Sequence, residues 1–158
     1  MQMDKTIAVT LTFCIFLLSG CASTKKVAFV DSRGDPVGRC YVFVSQENIL
    51  YPNSRELLVA DEKGRIEIPY RGLVRFYAGK EGFFISTFAL VGEANVRAVI
   101  YSPKDKIPAH GMRTKITKPP EEFLEIGKRS PEEKNWIKYV TATPFVIVAE
   151  QPVKTPPQ

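Results

Sequence analysis

The sequence of 158 residues has few of the side chains that build metal and catalytic sites. It contains three cysteines and one histidine, whereas a structural zinc site usually takes four Cys or His ligands. No GxSxG elbow, phosphate-binding loop or dinucleotide fingerprint is present, and His110 alone is available for a Ser-His-Asp arrangement. We therefore expect no metal, no cofactor and no enzymatic activity.

Long apolar runs are also scarce, with one exception at the N-terminus. Residues Ile7 to Leu18 are almost continuously apolar, but as a helix they would span only about 18 Å. The hydrocarbon core of a membrane is roughly 30 Å thick, so this run is too short for a permanent span. Its length is typical of the apolar region of a secretory signal peptide, which we assign to residues 1–20.

The last residue of this run and the three that follow it, Leu18-Ser19-Gly20-Cys21, resemble the lipobox of bacterial lipoproteins. In that family the signal is cleaved before the cysteine, here between Gly20 and Cys21. The cysteine thiol receives a diacylglyceryl group, and the new amino group is usually acylated. The resemblance implies a protein anchored to a membrane by lipid, with no spanning segment. Ala22, where the Gram-negative sorting pattern has Asp for retention, implies the outer membrane.

Residues 21–26 are predicted to be the lipid anchor and a short tether. Lys25 and Lys26 would lie at the lipid headgroups or in a solvated linker. Cys14 would leave with the signal and Cys21 would carry lipid, so Cys40 would be the single remaining thiol. An intramolecular disulfide is then excluded, and we predict that Cys40 is a buried packing residue.

The composition, 44% apolar and 25% charged, is that of a globular chain, and residues 27–102 alternate like β-strands. Turn signals such as Asp61–Gly64 separate the strands, and no segment of helix length intervenes. This spacing predicts a mainly β sandwich of two antiparallel sheets. The seven predicted strands are 27–31, 39–45, 57–60, 65–69, 73–78, 83–91 and 96–101.

The same region resembles carboxypeptidase regulatory-like domains. Three stretches carry the resemblance: Val30 to Val44, the D-x-x-G turn at Asp61–Gly64, and Val74 to Phe83. It covers residues 27–102 and implies a seven-stranded, transthyretin-like sandwich with an immunoglobulin-like architecture.

Residues 103–150 form an extension that begins with a basic segment. This segment is either a solvated loop or a face that binds lipid headgroups, polysaccharide phosphate or an acidic partner. The candidate anion-binding residues are Lys104, Lys106, His110, Arg113, Lys115 and Lys118.

Further along the extension, Ser130-Pro131 is a helix start signal, and Trp136, Ile137 and Val140 form one apolar stripe that should pack on the sandwich. A shorter helix ending at Gly127 and an extra strand over Phe145–Ala149 are also predicted. Residues 151–158 are rich in proline and should be disordered.

Taken together, these features predict a membrane-anchored envelope lipoprotein that acts as a non-enzymatic binding or structural module. Its partner would be an envelope protein or a glycan, and we do not expect nucleic acid. One alternative is an envelope enzyme or accessory subunit acting on polysaccharide or peptide, using Asp61, Glu62, Glu81 or His110. Another is a secretion-system tethering lipoprotein, by analogy with the transthyretin-like lipoproteins of type VI secretion.

Overall fold

The computed structural model describes residues 23–47, 54–70, 73–90, 95–107, 112–116, 121–126, 130–142 and 145–149. This part of the chain is mainly β, with nine strands and two short helices. The strands are β1 (Ser23–Val30), β2 (Tyr41–Glu47), β3 (Ser54–Val59), β4 (Arg65–Tyr70), β5 (Leu73–Gly79), β6 (Ile85–Leu90), β7 (Val96–Val99), β8 (Met112–Ile116) and β9 (Phe145–Ala149). The helices are α1 (Glu121–Leu124) and α2 (Pro131–Thr141).

The strands form a three-stranded sheet, in the order β4-β1-β7, and a six-stranded sheet, in the order β3-β2-β5-β6-β9-β8. Seven strands precede Ser102, which agrees with the predicted number. The prediction of purely antiparallel sheets is wrong, because β1–β7 and β6–β9 pair in parallel. A parallel pair needs a long connection, and here the chain between the partners supplies it.

The main core lies between the two sheets. Alternation within β2 sends Val42 and Val44 into this core, where they join Phe29 of β1 and Phe76 of β5. The rings of Phe29 and Phe76 meet edge to face, with centroids 6.2 Å apart. Cys40 is also fully buried here, and its thiol donates to the carbonyl of Val37 at 3.1 Å.

The opposite face of the six-stranded sheet is covered by the two helices, which gives a third layer. Phe43 and Ile85 of the sheet form a second buried cluster with Phe123, Trp136 and Val140 of the helices. Helix α2 begins at a capping box in which Ser130 and Glu133 bond reciprocally at 3.1 Å. The start signal at Ser130-Pro131 thus marks the start of the helix.

Two predicted boundaries are corrected. Strand β1 begins at Ser23, so most of the predicted tether of residues 21–26 is strand. Lys25 and Lys26 pair with β4 through main-chain hydrogen bonds, and their side-chain charge does not prevent this pairing. The basic segment is not a loop throughout, because Met112–Ile116 forms β8 beside the predicted strand β9. The residues of β8 do alternate with a period of two, but its two basic residues led us to predict a loop.

Candidate functional site

Four of the predicted site residues lie outside the described part of the chain: Gly20, Cys21, His110 and Lys118. Strand β1 nevertheless begins only two residues after Cys21. A lipid on Cys21 would therefore be joined almost directly to the central strand of the three-stranded sheet.

The other predicted basic residues lie on two separate elements. Lys104 and Lys106 are exposed in the loop after β7. Between them, Asp105 accepts hydrogen bonds from the Ser32 hydroxyl, at 2.7 Å, and from the Ser102 amide, which ties this loop to the turn after β1. These bonds, that from Ser32 first, lower the pKa of Asp105. Arg113 and Lys115 belong to β8, at the edge of the six-stranded sheet.

Two of the acidic candidates for catalysis, Asp61 and Glu62, serve a turn and an ion pair. One oxygen of Asp61 accepts the amides of Lys63 and Arg65, at 2.8 and 2.7 Å, and so closes the turn between β3 and β4. Glu62 lies 3.6 Å from the guanidinium of Arg39. Within the described ranges no three His, Cys, Asp or Glu side chains come together as metal ligands.

A groove that the sequence did not predict lies between α2 and the six-stranded sheet. It has a volume of about 430 Å³ and opens where β2 begins and β5 ends. We call it the basic groove. The residues that set its chemistry are Arg39, Tyr41, Lys80, Glu81, Asn135 and Lys138.

Arg39 enters the groove from a strained backbone. Its φ is +61°, and among the described residues it is the sole non-glycine with a positive φ. The left-handed conformation costs an L-residue about 1–2 kcal/mol. It is held by the bond from the Arg39 amide to the Asp61 carbonyl, at 3.0 Å. The side chain remains 62% exposed at the rim of the groove, where its guanidinium lies 3.6 Å from the exposed carboxylate of Glu62.

The floor of the groove is built by close contacts around Tyr139. The Tyr139 hydroxyl donates to the Phe83 carbonyl at 2.8 Å, and burial raises the pKa of this phenol. Its ring stacks on Tyr41, with centroids 6.4 Å apart. A Cβ on Gly79 would lie 2.6 Å from the Tyr139 hydroxyl oxygen, so only glycine leaves room for this ring. The Lys80 ammonium is likewise fixed, by a 2.9 Å bond to the Gly38 carbonyl.

The groove carries more positive than negative charge. Arg39, Lys80 and Lys138 are opposed within its lining by Glu81. Such a concentration of one sign of charge attracts anions. The three cations come from a turn, a strand end and a helix, widely separated in the sequence, and no local motif joins them.

A second cleft, of about 500 Å³, lies along the three-stranded sheet. Its lining includes Lys26 and Arg65 but also Glu67 and Asp61. Lys26 and Glu67 form an exposed ion pair at 3.8 Å. The charges balance, so this cleft favours neither sign of ligand.

No protein-family model matches the chain, and no curated protein sequence does so. Neither of the helices in the described residues has the length and apolar character needed to cross a membrane.

Proposed function

We propose that the protein is a bacterial envelope lipoprotein, anchored by lipid on Cys21 and acting as a non-enzymatic binding module. The observation that carries the proposal is the start of β1 at Ser23, two residues after the lipobox cysteine. A module joined so closely to its anchor stays at the membrane surface. We place it at the outer membrane on the strength of Ala22.

We further propose that the sandwich belongs to the transthyretin-like type. The sequence resemblance over residues 27–102 and the seven strands before Ser102, distributed over two sheets, support this assignment. The helices and the strands β8 and β9 are then additions to that domain. They cover one face of the six-stranded sheet and extend it at one edge.

The basic groove lies near the end of β1 that is far from Cys21, and this position supports a binding role. The amide of Val37, two residues before Arg39, donates to the carbonyl of Phe29 near the end of β1. Phe29 is six residues beyond Ser23, a distance of about 20 Å along a strand. An anchor on Cys21 would leave the basic groove at the end of the sandwich remote from the lipid.

Replacement of the anchor residue tests this proposal. We expect Cys21→Ala to move the protein from the membrane fraction to the soluble envelope fraction or to leave it as an unprocessed precursor. Cys14→Ala is the matched control, because it removes a cysteine from the signal without touching the lipobox, and it should remain in the membrane fraction. Processed Cys21→Ala that stays fully bound to membranes would contradict the proposal.

A further inference from the structure

We propose that the basic groove binds an acidic peptide segment of a partner protein. This inference rests on the proposed function as a binding module and specifies its ligand. The ligand would place carboxylates against Arg39, Lys80 and Lys138. Arg39 presents a fork that suits a carboxylate, whereas the lysines act as point charges.

The arrangement of the cations favours an extended ligand. Lys138 comes from α2, Arg39 from the turn before β2 and Lys80 from the residue after β5, so both the helix and the sheet side of the groove contribute cations. Asn135 adds an exposed amide that can both donate to and accept from a peptide main chain. A single small anion would not use all of these groups.

Two other ligand classes fit the groove less well. Sugars are commonly held on the free face of an aromatic ring, but Tyr41 already packs against Tyr139 and Trp136, with centroids 6.4 and 6.2 Å apart. Lipid headgroups would be remote, because the groove lies near the end of β1 whereas the anchor precedes its start. A carboxylate-bearing chain from a partner remains as the best match.

The strained backbone of Arg39 also supports a binding role for the groove. Glycine would adopt this left-handed backbone without cost, and yet the position holds a long cationic side chain that is mostly exposed. Strained residues of this kind cluster at functional sites. The exposed pair with Glu62 contributes little stability and does not account for the arginine.

Because Arg39→Gly removes the cation and also relieves the strained backbone, it can separate loss of binding from loss of folding. The full chain, purified from membranes in uncharged detergent, is titrated with a fluorescent hexaglutamate peptide and, as a blank, with hexaglutamine. We expect Arg39→Gly to weaken hexaglutamate binding about threefold while its thermal midpoint stays equal or rises. Lys138→Gln should weaken binding to a similar extent, and the double variant about tenfold.

The matched control is Lys63→Gln, which removes one exposed positive charge from the turn between β3 and β4. It should bind hexaglutamate as the wild type does. The proposal is overturned if Lys63→Gln weakens binding as much as Arg39→Gly, or if Arg39→Gly and Lys138→Gln bind normally. It is also overturned if these two variants lose binding to anionic phospholipid vesicles instead of to the peptide.

The outcome is independent of the anchoring experiment. If the peptide binds as expected while processed Cys21→Ala stays on membranes, the groove assignment stands and the lipoprotein proposal fails. If Cys21→Ala is released and the groove variants bind normally, the lipoprotein proposal stands and the peptide assignment fails.

Discussion

The ring of Trp136 lies nearly parallel to that of Phe43, with planes inclined by 14° and centroids 6.1 Å apart. Both side chains are fully buried. The indole N–H also donates to the carbonyl of Phe123, at 3.3 Å, so one residue joins α2 to the sheet and to α1. This contact holds the helical wall of the basic groove in place.

Trp136→Ala should therefore cost about 3–5 kcal/mol of unfolding free energy, since it deletes a large buried ring and leaves a cavity. Urea unfolding followed by circular dichroism measures the loss. Lys134→Ala, an exposed change on the same helix, should stay within about 0.5 kcal/mol of the wild type. Equal stability of Trp136→Ala and the wild type would show that α2 is not held by this contact.

Gly79→Ala should destabilise the fold by about 1–3 kcal/mol, because the new methyl would meet the Tyr139 hydroxyl oxygen at 2.6 Å. Combining it with Tyr139→Phe should recover part of that loss, since the phenyl ring lacks the nearest clashing atom. Thermal unfolding of the two single variants and the double variant gives the coupling. Strict additivity of the two changes would refute the contact.

Asp105 should make stability depend on pH. Hydrogen bonds, first that from Ser32, lower its folded pKa below the ordinary value of 3.8, so the unfolded chain takes up the proton first as pH falls. The stabilising contribution is present above the unfolded pKa and is lost as pH falls through the folded pKa. The stability gap between wild type and Asp105→Asn, measured in urea, should narrow below about pH 4. A gap that widened at acid pH would contradict this sign.

Cys40 should be unreactive in the native protein. Burial raises the pKa of its thiol to about 12, so very little thiolate exists at neutral pH. If Cys21 carries lipid, a disulfide reagent should titrate no thiol in the native protein and one after denaturation. Rapid native labelling of Cys40 would show that the core opens far more readily than the packing implies.

Much of the fold could be predicted from the sequence, because the strands, turns and helix starts depend on patterns of neighbouring residues. Alternation in β2 separates Val42 and Val44 from Tyr41 and Phe43, and the two sets do face different layers. The capping residue Ser130 marks the start of α2 for an equally local reason. The Asp61 turn likewise depends on a few adjacent residues.

The parallel pairings and the groove could not be predicted in this way. The pairing of β1 with β7 joins segments about 70 residues apart, and no composition or period encodes it. The basic groove gathers Arg39, Lys80 and Lys138 through the same long-range packing. We predicted a possible anion-binding face at Lys104 to Lys118 because five basic residues occur within this one short segment. Cations that folding gathers from distant segments leave no such pattern in the sequence.

Intact-mass spectrometry of the wild-type protein, extracted from membranes, tests directly whether Cys21 is the lipid-bearing first residue of the mature chain. We expect a chain that begins at Cys21, lacks residues 1–20 and carries added diacylglyceryl mass on its first residue. A membrane-bound protein with the unmodified mass of the full precursor, beginning at Met1, would contradict it.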